Sequence, residues 1–517
     1  MSSALCANCG YTVANDIQLP TTPVPDSLGG NYIASESQAQ MVHDTISFAR
    51  ADILQLDGEI HRLQALLDEL IRKRDALQTY TYLHVALVTP IGRLPPEILS
   101  EIFLHCKNEG LTKLQLNKAP LVLGSVCNRW RTIALSTPQL WASFALTIRS
   151  AYLKSDVVLA TTWLARAGTC PLTIRLACRG YARGSTRGFM QPLMDVFLLH
   201  CERWYDIHLS LPIRMLGFLV PAKNRLPSLQ KLYLDGELAS TLDIFQFAPQ
   251  LRWFQLALKA STIAPSMIKV PWNQIEDLDL GHCGVDEYLE LLRAAPNLQK
   301  CVARLSNSRQ RDSHSPVQHL HLRSMIIFGD PTQLFDTLLL PKLQEITIRA
   351  SNIQSTVALQ LTSFLSQCSL KTLSLNLRDP LSDYDMIQIL KTCPSLVQLD
   401  LRGSSPRCMT ASFFAQFAFR WDTENSIVQK LVPMLQTLTV DYTPRHFDII
   451  NFADAIQSRL ISNGQGRASD DVTKLLTVEL RDIRLGVVLD LPALSRLRQL
   501  KENGLEIRVL QGDKNVL

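Results

Sequence analysis

Residues 370–377 read LKTLSLNL and residues 396–402 read LVQLDLR. Both stretches contain the spacing L-x-x-L-x-L, with leucine at 370, 373 and 375 and again at 396, 399 and 401. Side chains two residues apart in a strand point to the same face, so the last two leucines of each copy share one face. The pattern therefore predicts half-buried strands that return at a regular interval.

The same spacing recurs from about residue 200 onward, with leucine, isoleucine, valine, phenylalanine, cysteine or alanine at the three positions. Its copies begin at residues 229, 251, 275, 298, 317, 343, 370, 396, 435 and 475. Most steps are 22 to 27 residues, which is the period of a leucine-rich repeat. Helical stretches such as residues 285–295 and 382–393 lie between copies, so each repeat reads as strand, turn and helix. The prediction is an α/β protein with an irregular leucine-rich-repeat solenoid, a horseshoe, over residues 149–517.

Proline precedes many of these copies by two residues, and such a proline ends a helix and admits a strand. The steps from 396 to 435 and from 435 to 475 are longer than the others. ASFFAQFAFRW and ISNGQGRASDD occupy the extra length. We expect insertions at both places, with the repeats continuing beyond them.

A different period covers residues 41–82. Apolar residues keep a 3-4 spacing that only Arg74 breaks: Ile46, Ala49, Ile53, Leu56, Ile60, Leu63, Leu67, Leu70 and Leu77. This pattern predicts a coiled-coil helix, and isoleucine at a with leucine at d favours two parallel strands. The alternative is one amphipathic helix that packs against its own chain. Self-association through this helix is accordingly one of two open interpretations.

Composition limits the class of protein. A hydrophobic fraction of 46% and a formal net charge of +5 over 517 residues are those of a globular protein and do not predict nucleic-acid binding. No segment has the length and apolar character of a secretion signal or a membrane span, and the cysteines are scattered. We therefore expect free thiols and a cytoplasmic or nuclear protein that binds no membrane.

The sequence predicts no cofactor, no metal and no catalytic activity of its own. It contains no phosphate-binding, dinucleotide-binding, zinc-protease or nucleophile-elbow motif. Cys6 and Cys9 have the spacing of half a zinc site, but no second pair follows at the usual interval. They lie in residues 1–40, whose Ser, Thr, Pro and Gly content predicts a flexible arm. His319 and His321 share one face of a predicted strand, where we expect them to be exposed.

Residues 88–148 contain three short apolar stripes. The first piece, IGRLPPEILSEIFLHC, begins a helix at its two prolines, and Glu97 suits the positive helix end. The second piece, APLVLGSVCNRWRTIALSTPQLWASF, places Leu123, Val126, Cys127 and Trp130 on one helical stripe, before a third helix that begins at Thr137. A unit of this size cannot bury all of its large apolar side chains, so some surface should remain for a partner.

LPPEILSEIF followed by VCNRWRTIALSTPQLW resembles the F-box, and the order of arm, heptads, F-box and irregular repeats is similar to large fungal families of F-box proteins. The linker KNEGLTKLQLNK is longer than in many F-boxes. The resemblance implies a substrate-recognition adaptor of a Skp–cullin–F-box ubiquitin ligase, with the Skp-type adaptor and the cullin scaffold as partners. The alternative is a leucine-rich-repeat interaction scaffold that joins no ligase.

The resemblance also implies which residues meet the Skp-type adaptor. They are Leu94, Pro95, Pro96, Glu97, Ile98, Leu99, Ile102, Phe103, Val126, Cys127 and Trp130, with Trp141 closing the unit.

The residue after the last apolar position of each strand predicts where a substrate protein binds. From the fourth repeat these residues are Arg304, Arg323, Arg349, Asn376, Arg402, Asp441 and Arg481. Stacked repeats would align the five arginines into one stripe, and guanidinium groups suit carboxylate or phosphate recognition. We therefore expect an acidic or phosphorylated substrate at this stripe, with an ordinary solvated strand edge as the alternative.

Overall fold

A computed structural model describes most of the chain. The described residues are 17–24, 35–106, 119–148, 153–178, 187–236, 241–258, 267–306, 315–350, 357–377, 381–402, 409–421, 427–429, 431–442, 447–460, 473–482, 491–511, 514–515 and 517. Cys6, Cys9, most of the predicted arm, the linker 107–118 and the predicted insertion at 461–471 lie outside them. The chain divides into two units, Met1–Leu99 and Ser100–Leu517.

The first unit consists mainly of one long helix, α1, which spans Glu36–Val88. It contains the whole of residues 41–82, so the helix predicted there is confirmed, while its pairing as a coiled coil stays a prediction. Ser35 precedes the helix, and its backbone N–H donates to Gln38 Oε1 at 3.0 Å. None of the described side chains of α1 is buried. A 3₁₀ turn, Pro90–Arg93, follows the helix.

The remaining helices comprise three that precede the first strand and others that lie between strands. They are α2 (Pro96–His105), α3 (Ala119–Val126), α4 (Asn128–Leu135), α5 (Leu153–Arg166), α6 (Arg187–Leu198), α7 (Ile213–Leu216), α8 (Val285–Ala294), α9 (Thr332–Phe335), α10 (Val357–Leu365), α11 (Asp383–Lys391), α12 (Ala411–Phe417), α13 (Ile449–Ser458) and α14 (Leu491–Glu502). Helices α9 to α14 pack side by side in chain order.

The strands form one large sheet and two small ones. They are β1 (Ser143–Ile148), β2 (Leu172–Cys178), β3 (Trp204–Ser210), β4 (Lys231–Gly236), β5 (Trp253–Leu258), β6 (Asp277–Cys283), β7 (Lys300–Leu305), β8 (Val317–Gln318), β9 (Ser324–Phe328), β10 (Leu338–Leu339), β11 (Glu345–Ala350), β12 (Thr372–Leu377), β13 (Gln398–Arg402), β14 (Arg420–Trp421), β15 (Ile427–Gln429), β16 (Thr437–Tyr442), β17 (Thr477–Asp482), β18 (Glu506–Gln511) and β19 (Lys514–Asn515).

Within the described residues, fifteen strands follow one another in the large sheet in chain order, and β8 with β10 and β14 with β15 form the two small sheets. Neighbours in the large sheet are parallel except β18 and β19. Parallel neighbours in chain order require a crossover between each pair, and most of the crossovers contain a helix or a 3₁₀ turn. The molecule is therefore a mixed α/β protein with a long N-terminal helix and a large, mostly parallel sheet.

The L-x-x-L-x-L positions form the core of the sheet unit. Leu370, Leu373 and Leu375 are at most 2% exposed, and Leu396, Leu399 and Leu401 are buried to the same degree. The register pairs Leu373 with Leu399 and Leu375 with Leu401, so equivalent positions of successive copies stack. Burial of one face of each strand against the next copy explains why the spacing recurs.

Two features correct the predicted organisation, and a third agrees with it. The large sheet begins at β1, inside residues 88–148, and three strands precede the first copy recognised at residue 229. The copy predicted at 317, 320 and 322 lies outside the large sheet, because β9 begins only at Ser324 and buries Met325 and Ile327. Around the longer steps the prediction of insertions holds, since β13 pairs directly with β16, and β16 with β17.

Candidate functional site

The first candidate site lies on helices α2, α3 and α4. Helix α2 carries Leu99 and Phe103, both fully buried, and Ile98 and Ile102, which are 49% and 39% exposed. Residues four apart lie on the same side of a helix. Leu99 and Phe103 therefore face inward, and the two isoleucines face outward. Pro95, Pro96 and Glu97 are exposed at the start of this helix.

The second predicted helix is two helices. Cys127 has φ −156° and ψ 170°, which ends α3, and its Sγ accepts a hydrogen bond from the backbone N–H of Trp130 at 3.5 Å as the N-cap of α4. The single stripe predicted through Val126 and Trp130 is therefore interrupted. Val126 and Cys127 are exposed and Trp130 is half-buried, with its ring 4.8 Å from that of Phe103.

The third predicted helix is a 3₁₀ turn, Pro138–Leu140, that closes the unit from inside. The Thr137 hydroxyl donates to the carbonyl of Ile133 at 2.7 Å, and Trp141 Nε1 donates to the carbonyl of Ala134 at 2.8 Å. Trp141 is 2% exposed, and its ring meets that of Trp163 edge-on at 4.7 Å. Trp141 thus belongs to the core that joins this region to α5.

The twelve residues implied for adaptor contact separate into three classes. Leu99, Phe103 and Trp141 are buried, and Leu94 and Trp130 are half-buried. The exposed members are Pro95, Pro96, Glu97, Ile98, Ile102, Val126 and Cys127. The sequence reasoning missed two exposed apolar residues on α3, Leu121 at 46% and Val122 at 58%. Their position beside buried Pro120 and Leu123 in the APLVL run was the available signal, since a short helix cannot bury every side of such a run.

The second candidate site is the row of arginines that follows the strands. The register places Arg304 and Arg349 opposite Phe328, so phenylalanine occupies the row on β9. Arg323 lies before β9, outside the row, because the strand starts later than predicted. The guanidinium carbons of Arg304 and Arg349 lie 5.0 and 5.4 Å from the centre of the Phe328 ring. The strands therefore do not form a contiguous stripe of five arginines.

Carboxylates neutralise three of the four arginines that remain in the row without Arg323. Arg304 pairs with Asp279, Arg402 with Asp400 at 2.8 Å, and Arg481 with Glu479. The hydrogen bond from Arg402 to Asp400 raises the pKa of Arg402. Two of these pairs lie within the sequences DLR and ELR, where alternate residues of a strand share a face. Among the described residues, Arg349 is exposed and has no carboxylate partner.

Arg323 lines an open cleft of about 320 Å³ instead. The cleft lies where the strands β5 to β11 begin, and its lining combines cationic, amide and imidazole side chains with one carboxylate. The lining residues are Arg252, Asn273, Gln274, Glu276, Asn297, Gln299, His321, Arg323 and Lys342. Arg252 pairs with Glu276 at 3.4 Å. Arg323 and Arg349 therefore belong to different surfaces of the sheet unit.

The predicted exposure of the histidine pair is wrong for His319, which is 3% exposed. Its Nε2 lies 2.9 Å from the carbonyl of Ala295, and its Nδ1 faces the backbone N–H groups of His321 and Leu322 at 3.4 and 3.1 Å. Nδ1 must accept these bonds, so the ring is neutral with its proton on Nε2. Burial lowers the pKa of His319. In the described part of the chain, no group of three or more metal-ligating side chains occurs.

No helix among the described residues is both long and apolar enough to cross a membrane.

Comparison with known proteins gives one domain assignment. Residues 91–147 match the F-box-like family. No curated protein matches the chain. Among solved structures, a protein from Bacteroides fragilis is 12% identical with a TM-score of 0.26, over 72% of this chain and 74% of that chain. The crystal structure of the Rad7 and Elc1 complex in yeast is 14% identical with a TM-score of 0.32, over 79% of this chain and 97% of that chain.

By the family match, the chain therefore carries an F-box-like domain at residues 91–147.

Proposed function

We propose that this chain is the substrate-recognition adaptor of a Skp–cullin–F-box ubiquitin ligase and acts in it as a non-catalytic subunit. Residues 88–148 bind the Skp-type adaptor, which connects the chain to the cullin scaffold. The F-box-like match at residues 91–147 carries this proposal. F-box domains in general are typically adaptor subunits without catalytic residues, which supports a non-catalytic role for this chain.

The domain organisation that goes with this function places a coiled-coil helix at residues 41–82, the F-box at 88–148 and a leucine-rich-repeat solenoid at 149–517. The arm predicted at 1–40 is too long, because residues 36–40 belong to α1. Two observations support the solenoid: the strands follow one another in chain order, and their leucines stack in register. Stacked repeats of this kind present long surfaces to other proteins.

The exposed apolar residues of the F-box region supply the adaptor contact. Ile98, Ile102 and Val126 leave between 39% and 58% of their surfaces accessible, and the first two stand beside the buried Leu99 and Phe103. Burial of an aliphatic side chain against a partner stabilises a complex by about 1.5–3 kcal/mol when complete, and by less for a side chain that is already half covered. We assign Leu99, Phe103 and Trp141 to the core that holds these residues in place.

Adaptor binding is tested with the double variant Pro95→Ala with Ile98→Asp in the full chain. A carboxylate at position 98 would lose its hydration in an apolar interface, which costs several kcal/mol. We expect affinity for a purified Skp-type adaptor, measured by surface plasmon resonance, to fall by more than about a hundredfold.

The matched control is Leu359→Asp on α10, since Leu359 is 75% exposed and lies outside residues 91–147. This variant should bind the adaptor as the parent does. If the parent chain shows no adaptor binding, the ligase assignment is wrong and an interaction scaffold remains. Equal binding by parent and double variant would remove the residue assignment.

We further propose that the substrate is a protein with acidic or phosphorylated segments that contacts two surfaces of the sheet unit. Arg323 contributes from the cleft where the strands begin, and the other four arginines contribute from the strands themselves: Arg304, Arg349, Arg402 and Arg481. The ion pairs at Asp279, Asp400 and Glu479 reduce the net charge on the face of the strands. Recognition therefore rests most heavily on Arg349, which is exposed on β11, and on Arg323 in its cleft. Guanidinium groups without a nearby carboxylate are the stronger anion ligands.

Reversal of charge in the triple variant Arg323→Glu, Arg349→Glu, Arg402→Glu tests both surfaces together. Proximity labelling in cells should recover fewer acidic or phosphorylated proteins with the variant, while adaptor binding stays unchanged. Reversal of Lys391, Arg498 and Lys501, three exposed cations on helices, is the control for net charge. Unaltered recovery by the first variant would exclude these arginines as the recognition surface.

A further inference from the structure

The long helix α1 has an apolar seam that the described chain leaves accessible. Five heptads run along it, and the large aliphatic side chains at a and d remain between 42% and 67% exposed at six positions: Ile46, Ile53, Ile60, Leu67, Leu70 and Leu77. Leu56 and Leu63 are half-buried. A 3-4 seam of this kind is the surface by which one helix packs against another of the same kind. The partner helix and its direction relative to α1 follow from the charged residues at the seam.

We propose that α1 pairs with α1 of a second copy of this chain in an antiparallel coiled coil. The residues at a and d taken alone favour a parallel pair. The charged residues that flank the seam, and the one charged residue within it, point the other way.

Charge is unfavourable in a parallel pair. In that arrangement each g residue meets the e residue of the partner's next heptad. Asp52 at g then faces Asp57 of the second copy, twice by symmetry, and all other flanking pairs contain at least one uncharged residue. The parallel pair also places Arg74, the single charged residue of the seam, against Arg74 of the second copy in one core layer. Ala49 would meet Ala49 and leave that layer underfilled.

Charge and size both become complementary when the helices run in opposite directions. Residues at a then face residues at d, and g faces g. One register aligns all the aliphatic layers and sets the long Arg74 side chain opposite the small Ala49. The opposing layers are Ile46 with Leu77, Ile53 with Leu70, Ile60 with Leu63, Leu67 with Leu56, and Arg74 with Ala49.

The same register brings Asp52 opposite Lys73, again twice by symmetry. Lys73 lies 3.3 Å from Glu69 of its own helix, but Glu69 also pairs with Arg72, and Lys73 remains 68% exposed. Arg74 has its own counterion, since its guanidinium lies 2.8 Å from Asp75. Both cations can therefore lie at the partner helix without an unpaired buried charge.

Neighbouring registers are less favourable. A shift by one heptad in one direction sets Glu59 against Glu59 and Asp57 against Asp57. A shift in the other direction sets Ile46 against His84 and Arg74 against Leu56. One antiparallel register thus satisfies the seam and its flanks together.

Zero-length carbodiimide cross-linking of the full chain is the direct test. Within one helix Asp52 and Lys73 are about 30 Å apart, so an amide between them can form only between two copies, and only if the helices are antiparallel. Mass spectrometry should identify a linked pair of peptides that contain Asp52 and Lys73. A chain that is dimeric by sedimentation but never yields this link would overturn the proposal, and so would a monomer at the highest soluble concentration.

Asp52→Lys gives a second readout whose sign depends on direction. In the antiparallel pair it sets lysine against Lys73, and we expect the dimer dissociation constant to rise about tenfold. In a parallel pair the same change replaces the Asp52–Asp57 repulsion by attraction and should tighten the dimer. Asp52→Lys combined with Lys73→Asp should restore the parent constant to within about twofold. Tightening by the single variant, or no recovery in the double variant, would contradict the antiparallel arrangement. This inference does not depend on the ligase assignment.

Discussion

The long helix and the sheet carry similar apolar residues in regular rows, yet only the sheet buries its row within the described chain. Leu373 and Leu399 are fully buried against equivalent positions of neighbouring strands, whereas Ile60 on α1 is 49% exposed. The difference follows from period. A repeat of about 25 residues returns the chain to the next strand, while a heptad repeat continues along one helix and needs another helix beside it. Regular spacing thus predicts a buried surface in both regions, but it predicts an intramolecular partner only in the sheet.

The largest expected effect distinguishes the buried leucine row of the sheet from the exposed apolar row of α1. Leu373→Ala removes a fully buried side chain from the sheet and leaves a cavity, so the free energy of unfolding should fall by about 2–5 kcal/mol. Ile60→Ala should leave the unfolding of the sheet unit unchanged and weaken self-association instead. Chemical denaturation followed by fluorescence measures the first quantity, and sedimentation equilibrium the second. Equal destabilisation of the sheet unit by both variants would mean that the seam of α1 packs within its own chain.

Much of the sheet could be predicted because its copies repeat the same residue types. The first three strands were missed although Trp141, Phe144 and Leu146 keep the same spacing. A bulky tryptophan at the first position, in place of leucine, concealed the pattern there. The same substitution occurs at Trp204, before Ile207.

The strand at 324–328 was misplaced for a different reason. Val317, Leu320 and Leu322 fit the spacing by chance, and Leu322 serves as the first apolar position of the following strand. Sequence spacing cannot choose between two overlapping frames when both contain aliphatic residues. Hydrogen bonds distinguish the two frames, because the backbone N–H groups of Arg323 and Ser324 donate to the carbonyl of Gln299, which directly precedes β7.

The candidate docking residues show what spacing can and cannot establish. The order of the LPPE entry and the two later pieces was enough to locate the domain, and the family match confirms it at residues 91–147. Which of the twelve residues face solvent was not readable, because the break at Cys127 rotates Trp130 away from the stripe that contains Val126. The apolar spacing of the sequence does not show where a single extended residue divides one helix into two.

The second effect concerns a buried charge that the sheet unit contains and α1 lacks. Arg459 is 5% exposed, lies between the rings of Phe417 and Phe419 at 3.9 and 4.1 Å, and donates to the carbonyls of Phe417, Leu431 and Val432. Burial lowers the pKa of Arg459 to about 9, so the side chain is still protonated at neutral pH. Its bonds hold the segment inserted between β13 and β16 to α13.

Arg459→Met should therefore lower the free energy of unfolding by about 2–3 kcal/mol, because three buried carbonyls lose their donor. Arg498→Met, at an exposed position on α14, is the control and should change stability by less than about 0.5 kcal/mol. Hydrogen exchange should locate the loss at residues 409–421 and 431–442. Uniform loss of protection along the sheet would instead show that Arg459 supports the whole unit.

The smallest effect is a pH dependence that we expect in the sheet unit and trace to His319. Burial lowers the pKa of its imidazole in the folded chain below the ordinary value of about 6.5. As pH falls below about 6.5, the unfolded chain binds the proton first, so the unfolded state gains stability until pH passes below the folded pKa. The structural cause is that Nδ1 accepts from the N–H groups of His321 and Leu322, and a protonated Nδ1 would repel both donors.

His319→Asn keeps an acceptor near these N–H groups and removes the titration. The variant should be less stable than the parent at neutral pH, because the bond to the carbonyl of Ala295 is lost. Its stability should nevertheless fall less than that of the parent between about pH 7 and pH 5. Denaturation midpoints of both proteins across this range measure the difference, in which the contributions of the other histidines cancel. Parallel pH profiles for parent and variant would show that His319 keeps its proton state on unfolding, contrary to the hydrogen-bonding pattern of this ring.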